Sequence, residues 1–137
     1  MKSDAKTLIN KFLDKKNIFA VIGVSRNPKK YGSKVYLDLK KSGYRVYPIN
    51  PNVNIIHGDK CYPKLKDLPT KPDVVDAVVP PKITDEIVME CKRLGINMVW
   101  MQPGSESEKA INFCKSNEIK CLYNMCVMVE RDNLKNG

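Results

Sequence analysis

The chain of 137 residues has one histidine, one tryptophan and three phenylalanines, and its five cysteines form no C-x-x-C pair. With His57 remote from any pair of cysteines, no ligand set for a structural zinc ion is in place, and no metal site is expected. No apolar run approaches the ~18 residues that a membrane span requires. Residues 1–16 lack an unbroken apolar core of the kind a secretory leader carries. An odd number of cysteines and no leader together imply a cytoplasmic protein. Acidic residues are scarce, 15 against 24 lysines and arginines, for a net charge of +9. That excess suits an anionic partner. The lysines are nonetheless scattered, paired only at Lys15-Lys16, Lys29-Lys30 and Lys40-Lys41, and aromatics make up only 7%. Without a basic-aromatic motif the composition argues against nucleic acid and for a small polyanion, which needs only a few local cations.

Hydrophobic residues are 42% and charged residues 28%, an ordinary globular balance. The length fits one domain, residues 1–137, with an N-terminal helix within residues 1–16 and an irregular or short apolar C-terminal extension over 124–137. Five apolar runs stand out at residues 18–22, 44–49, 74–79, 97–101 and 119–123. Helical stripes fall between them: Val35 and Leu39, then Ile87, Val88, Cys91 and Leu94 up to Gly95, then Ala110, Ile111 and Cys114. Cys91, Cys114 and Cys121 read as small buried hydrophobes. Ser105-Glu106-Ser107-Glu108 has the form of a capping box. Strands alternating with helices specify an α/β fold, a Rossmann-like parallel sheet of about five strands with helices on both faces. The long linker between the second and third runs suits the order 3-2-1-4-5. Pro48 implies that the second strand has no regular ladder on both sides throughout. In such sheets ligands bind at the carboxyl ends of the strands, beside the first strand.

Four loops occupy those ends: Gly23-Val24-Ser25-Arg26-Asn27-Pro28, Asn50-Pro51-Asn52, Val79-Pro80-Pro81-Lys82 and Gln102-Pro103-Gly104-Ser105. None contains Asp, Glu, His or Cys, so a general acid–base pair is missing there and a binding surface without catalytic residues is expected. The first loop departs from the G-x-G-x-x-G fingerprint at Ser25 and Pro28, and Ile49-Asn50 stands where the acid that holds an NAD ribose belongs. This counts against the alternative of an NAD(P)- or flavin-linked oxidoreductase. The loop still feeds a helix N-terminus, which favours phosphate, and Ser25, Arg26, Lys29 and Lys30 add donors and charge. A solvated basic turn, followed by prolines that simply end strands, is the bland alternative, and the residues alone do not choose between the two.

Taken in order, Gly23-Val24-Ser25-Arg26-Asn27-Pro28 with Lys30-Tyr31-Gly32, Tyr47-Pro48-Ile49-Asn50-Pro51-Asn52, Val78-Val79-Pro80-Pro81, Trp100-Met101-Gln102-Pro103-Gly104 and Cys126 before Met128-Val129-Glu130 resemble the small stand-alone CoA-binding proteins. These are related to the N-terminal domain of the succinyl-CoA synthetase alpha subunit. The resemblance runs from about Asn17 to Glu130. It implies coenzyme A, or an acyl-CoA, as the ligand. Gly23, Ser25, Arg26 and Asn27, with Lys30 and Tyr31, would form the phosphate loop. Asn50 and Pro51 would form the turn toward the nucleotide, Val79 and Pro80 the turn after the third strand, and Met101, Gln102 and Pro103 the segment after the fourth. The synthetase domain has a lysine where this chain has Val53, so Arg26, Lys29 or Lys30 would supply that charge. The synthetases also use a phosphorylated histidine from a second domain, which His57 does not match, so the resemblance implies binding and leaves a CoA-binding subunit of an acyl-CoA ligase complex as an alternative. Cys126 is either a structural cysteine or a thiol able to pair with that of CoA. An exposed apolar tail would suit a homo-oligomer.

Overall fold

Five short strands pair as one parallel sheet in a computed structural model that describes residues 2–136. They are β1 (Ile18–Ile22), β2 (Arg45–Ile49), β5 (Val74–Ala77), β6 (Met98–Met101) and β7 (Lys120–Leu122), and a two-stranded hairpin, β3 (Ile55–Ile56) with β4 (Asp59–Lys60), interrupts the linker between β2 and β5. The helices are α1 (Lys2–Phe12), α2 (Tyr31–Lys41), α3 (Pro81–Leu94), α4 (Glu108–Ser116) and α5 (Val127–Asn136). The fold is the expected Rossmann-like α/β class.

Side chains alternate across the sheet, and each face builds its own core. Phe19, Val21, Val74 and Trp100 point to the side covered by α1, α2 and α5, where they meet Phe12, Tyr36 and Val127. Ala20, Val75, Val99 and Met101 point to the side covered by α3 and α4, against Val88, Cys91 and Cys114. Cys91 and Cys114 are buried, Cys121 is partly so, and all five cysteines are free. Among the described residues no helix is long and apolar enough to cross a membrane.

The strand order is β2-β1-β5-β6-β7, which is 2-1-3-4-5 when the five sheet strands are counted in turn, and not 3-2-1-4-5. Two features of the chain impose it. The segment 74–77 is wholly buried and belongs in the middle of the sheet, and Asp73 locks its start onto β1: Asp73 N donates to Ile18 O and Ile18 N donates to Asp73 Oδ2, each at 2.8 Å. Pro48 keeps β2 at the edge. Its carbonyl points outward to accept Tyr62 N at 3.1 Å, so the N–H that proline lacks is on the outer side, where no strand is deprived of a bond. The reversal of strand order therefore falls between β1 and β5.

Two local expectations also change. The cap of α4 is Ser107, whose Oγ accepts Ala110 N at 3.1 Å, because Ser105 is engaged elsewhere: its Oγ accepts Val79 N at 3.0 Å and its carbonyl accepts the Thr84 hydroxyl at 2.7 Å. The C-terminal extension is a regular helix, α5. Buried Val127 anchors its first turn, Trp100 Nε1 donates to Met125 O at 2.9 Å just before it, and Arg131 grips Asp38 of α2 with two bonds of 2.7 and 3.0 Å.

Candidate functional site

The first loop and α2 are pressed together by two glycines. A side chain on Gly23 would put its Cβ 2.1 Å from Val78 O, and one on Gly32 would put it 2.1 Å from Gly23 O. Gly23 also has φ +103°, a conformation glycine adopts freely. Ser33, in the first turn of α2, donates its hydroxyl to Ser25 O and accepts Ser25 N at 3.2 Å. Ser25 Oγ accepts Asn27 N at 3.0 Å, and Asn27 Oδ1 accepts Lys29 N at 2.9 Å, so the loop is fixed by its own side chains. Asn50 joins the second loop to the first by donating Nδ2–H to Val24 O at 2.8 Å.

No side chain caps α2. The N–H groups of its first turn consequently have no intrahelical partner, and with the helix dipole they form an anion-favouring end. Arg26, Lys29 and Lys30 are exposed around it. His57 arrives from the β3–β4 turn: its ring stacks on Tyr36 and its Nε2 lies 3.1 Å from Ser33 Oγ. The Ser33 proton is committed to Ser25 O, so His57 donates. Asp59 receives Tyr36 Oη at 2.5 Å and Lys40, which holds the hairpin onto α2.

A second cluster is buried on the α2 and α5 side of the sheet. Gln102, wholly buried, donates Nε2–H to Asp76 Oδ1 at 2.7 Å and accepts Val127 N at 3.1 Å on Oε1. The Tyr31 hydroxyl lies 3.0 Å from Gln102 Oε1 and 3.0 Å from Cys126 Sγ. A phenol has one proton. It is the donor toward both, shared between Gln102 Oε1 and Cys126 Sγ. Asp76 is 0% exposed and its Oδ2 has no hydrogen-bond partner among the described residues. Burial pushes its carboxyl up to about 7, against the pull of the Gln102 amide. Burial, then the hydrogen bond to Cys126 and the nearby charge of Asp76, make the Tyr31 phenol hold its proton more tightly than usual.

The expected site residues thus divide. Gly23, Ser25, Asn27, Lys30, Tyr31 and Asn50 converge on the start of α2, with Arg26 and Pro51 exposed beside them. Val79 leaves β5 with its N–H bonded to Ser105, and exposed Pro80 precedes α3. Pro103 is exposed, whereas Met101 and Gln102 are completely buried, Met101 in the α3–α4 core and Gln102 in the polar cluster. Asp76 was overlooked because it lies inside an apolar run. The run Val74-Val75-Asp76-Ala77 did signal it: a lone carboxylate on a central strand needs a reason. Ser33 and His57 carried no comparable signal. A groove of 670 Å³ lined by Leu13, Lys15, Tyr44 and Arg131 lies at the opposite end of the strands and takes no part in this cluster.

A glycine-tightened loop leading from a central parallel strand into an uncapped helix is the arrangement of a Rossmann-like α/β domain. Residues 17–132 match the family described as CoA binding domain, and the chain belongs to that family. It is 38% identical over 81 residues to the alpha subunit of an ADP-forming acetate–CoA ligase II from Pyrococcus furiosus, a match covering 58% of this chain and 18% of that one. Against the corresponding ligase II of Archaeoglobus fulgidus it is 42% identical over 79 residues, 56% of this chain and 12% of the relative. The chain therefore spans less than a fifth of the length of these ligases. A hypothetical protein of Pyrococcus horikoshii OT3 superposes with a TM-score of 0.87 at 30% identity, covering 98% of this chain and 92% of that one.

Proposed function

We propose that this chain is a single binding module for coenzyme A or an acyl-CoA, seated across the carboxyl ends of β1, β2 and β6. The observation that carries the reading is the uncapped start of α2, held against the first loop by Gly23 and Gly32 and surrounded by Arg26, Lys29 and Lys30. The pyrophosphate takes the N–H groups of that turn, as phosphates do at helix N-termini. Asn50 and Pro51 border the nucleotide, and Val79, Pro80 and Pro103 border the arm that leads to the thiol. Met101 and Gln102 shape the site from below. Binding requires no acid–base pair, and the exposed strand-end loops offer none. The cytoplasm, where thiols stay reduced, suits five free cysteines.

A thermal-shift series with CoA, acetyl-CoA, dephospho-CoA, NAD, NADP, FAD and ATP tests this, since a ligand that binds only the folded chain raises its melting temperature. CoA species should raise it and the dinucleotides should not. A shift with NAD or FAD alone would transfer the site to the oxidoreductase reading. Arg26→Ala should weaken CoA by about 1.5–3 kcal/mol, the value of a hydrogen bond to a charged group. Unchanged affinity would remove Arg26 from the site. A second reading, a CoA-binding subunit within an acyl-CoA ligase, is favoured by the names of the relatives, and co-purification of an ATP-binding partner chain would support it.

A further inference from the structure

We propose that Cys121 and Cys114 form an oxidant-reactive dithiol, in which a hydroperoxide oxidises Cys121 and Cys114 resolves the product as a disulfide. The site lies at the β7 edge of the sheet and does not depend on the CoA reading.

Three of the five cysteines, Cys91, Cys114 and Cys121, share the core between the sheet and the helices α3 and α4. The short connection between the last two brings them together. Cys114 lies in the last turn of α4, and its carbonyl accepts Ile119 N at 2.9 Å and Asn117 N at 3.2 Å, which turns the chain directly into β7. Side chains alternate along that strand. Leu122 packs into the opposite core with Trp100, so Cys121 is the residue of β7 that faces α4. There the Cys121 and Cys114 thiols hydrogen-bond to each other.

The two thiols differ in the way such a pair requires. Cys114 is 0% exposed, and the bond it donates to Cys121, then burial, make it hold its proton. Cys121 is partly exposed, on a strand paired on one side only. The bond it accepts from Cys114 outweighs its burial and, with the charge of Lys115, holds its thiol below the usual range. Cys121 also lines a groove of 520 Å³ in which Lys11, Lys115 and Lys120 stand against one carboxylate, Asp4. Positive surroundings favour the thiolate, which is the reactive form. An accessible thiolate with a second cysteine beside it is the arrangement that peroxides oxidise selectively. Cys91, in the same core, is fully buried and its thiol is pushed up to about 12, which leaves it protonated and out of reach.

The chemistry balances with a hydroperoxide as oxidant. The Cys121 sulfur attacks one peroxide oxygen, the O–O bond breaks, and the other oxygen takes a proton from solvent and leaves as water or an alcohol. Cys121 is then a sulfenic acid, oxidised by two electrons, and the peroxide is reduced. The Cys114 sulfur attacks Cys121 Sγ, the S–O bond breaks, and the hydroxide leaves with the Cys114 proton as water. A dithiol reductant returns both thiols.

The test is treatment of the full, reduced chain with hydrogen peroxide, followed by alkylation of the remaining thiols, intact mass and fragmentation of tryptic peptides. Cleavage after Lys115 and Lys120 separates the two cysteines, so linked peptides report the bond. The expected result is a Cys114–Cys121 disulfide, reversed by dithiothreitol and formed about tenfold or more faster than in the urea-unfolded chain. Cys121→Ser should abolish it, Cys126→Ser should retain it, and Lys115→Gln, on the surface, should slow it. Cys114→Ser should leave a sulfenic acid on Cys121 that dimedone captures. If the unsubstituted chain stays reduced, links other cysteines, or reacts no faster folded than unfolded, the inference falls. The CoA thermal shift is read separately, so failure here leaves the binding reading standing.

Discussion

Asp76 sits where a carboxylate is costly, mid-strand in the centre of the sheet with one oxygen unpaired. Its environment resolves the cost by favouring the neutral acid up to about pH 7. An unfolded aspartate ionises near pH ~3.9. Between those values the folded chain holds a proton that the unfolded chain has lost. Stability is therefore fully present below about pH 4, falls as pH rises and has lost this contribution above about pH 7, with a slope of at most about 1.4 kcal/mol per pH unit. Asp76→Asn removes the ionisation and keeps an acceptor for Gln102. Urea melts from pH 4 to 8 should give a flatter profile for the variant and higher stability than the parent at pH 8. Parallel profiles would show that the carboxyl is ionised in the folded chain throughout.

The junction of β1 with α2 has no slack. An added methyl at Gly32 would meet only backbone, Gly23 O at 2.1 Å and Gly23 C at 2.8 Å, and neither can swing aside. Gly32→Ala should cost about 1–3 kcal/mol through overpacking and should abolish the CoA thermal shift, because helix and loop must part. A variant of parental stability and affinity would refute the tight junction. This level of organisation was largely readable in the chain. Five apolar runs marked the strands, and Gly95 marked a helix end. Pro48 already carried the information that β2 is an edge, but the length of the linker was given more weight, and the order came out wrong. The α5 helix escaped notice because its apolar stripe is weak and its stability comes from Trp100 and from the Arg131–Asp38 pair, contacts that no local pattern reports. The strand-end loops were visible for the opposite reason, since turn chemistry is local. Tyr31 and Cys126 stand 95 residues apart, and only the fold shows that they touch.

The charge of the whole molecule is spent unevenly. Lys40, Arg93 and Arg131 are neutralised by Asp59, Glu90 and Asp38. Arg26, Lys29 and Lys30 pair with no carboxylate among the described residues, so part of the +9 excess remains at the strand-end loops. A field of this kind speeds the encounter with an anion and is screened once the Debye length shrinks, from ~10 Å at 0.1 M salt to ~3 Å at 1 M. CoA carries a 3′-phosphate that dephospho-CoA lacks. If the basic loop reads that group, the affinity for CoA should fall more steeply with salt than the affinity for dephospho-CoA, and the association rate should fall with it. Calorimetric titrations of both ligands from about 0.05 to 0.5 M KCl measure the two slopes. Equal slopes would mean that the 3′-phosphate lies outside the reach of these three side chains, and that the start of α2 holds only the pyrophosphate.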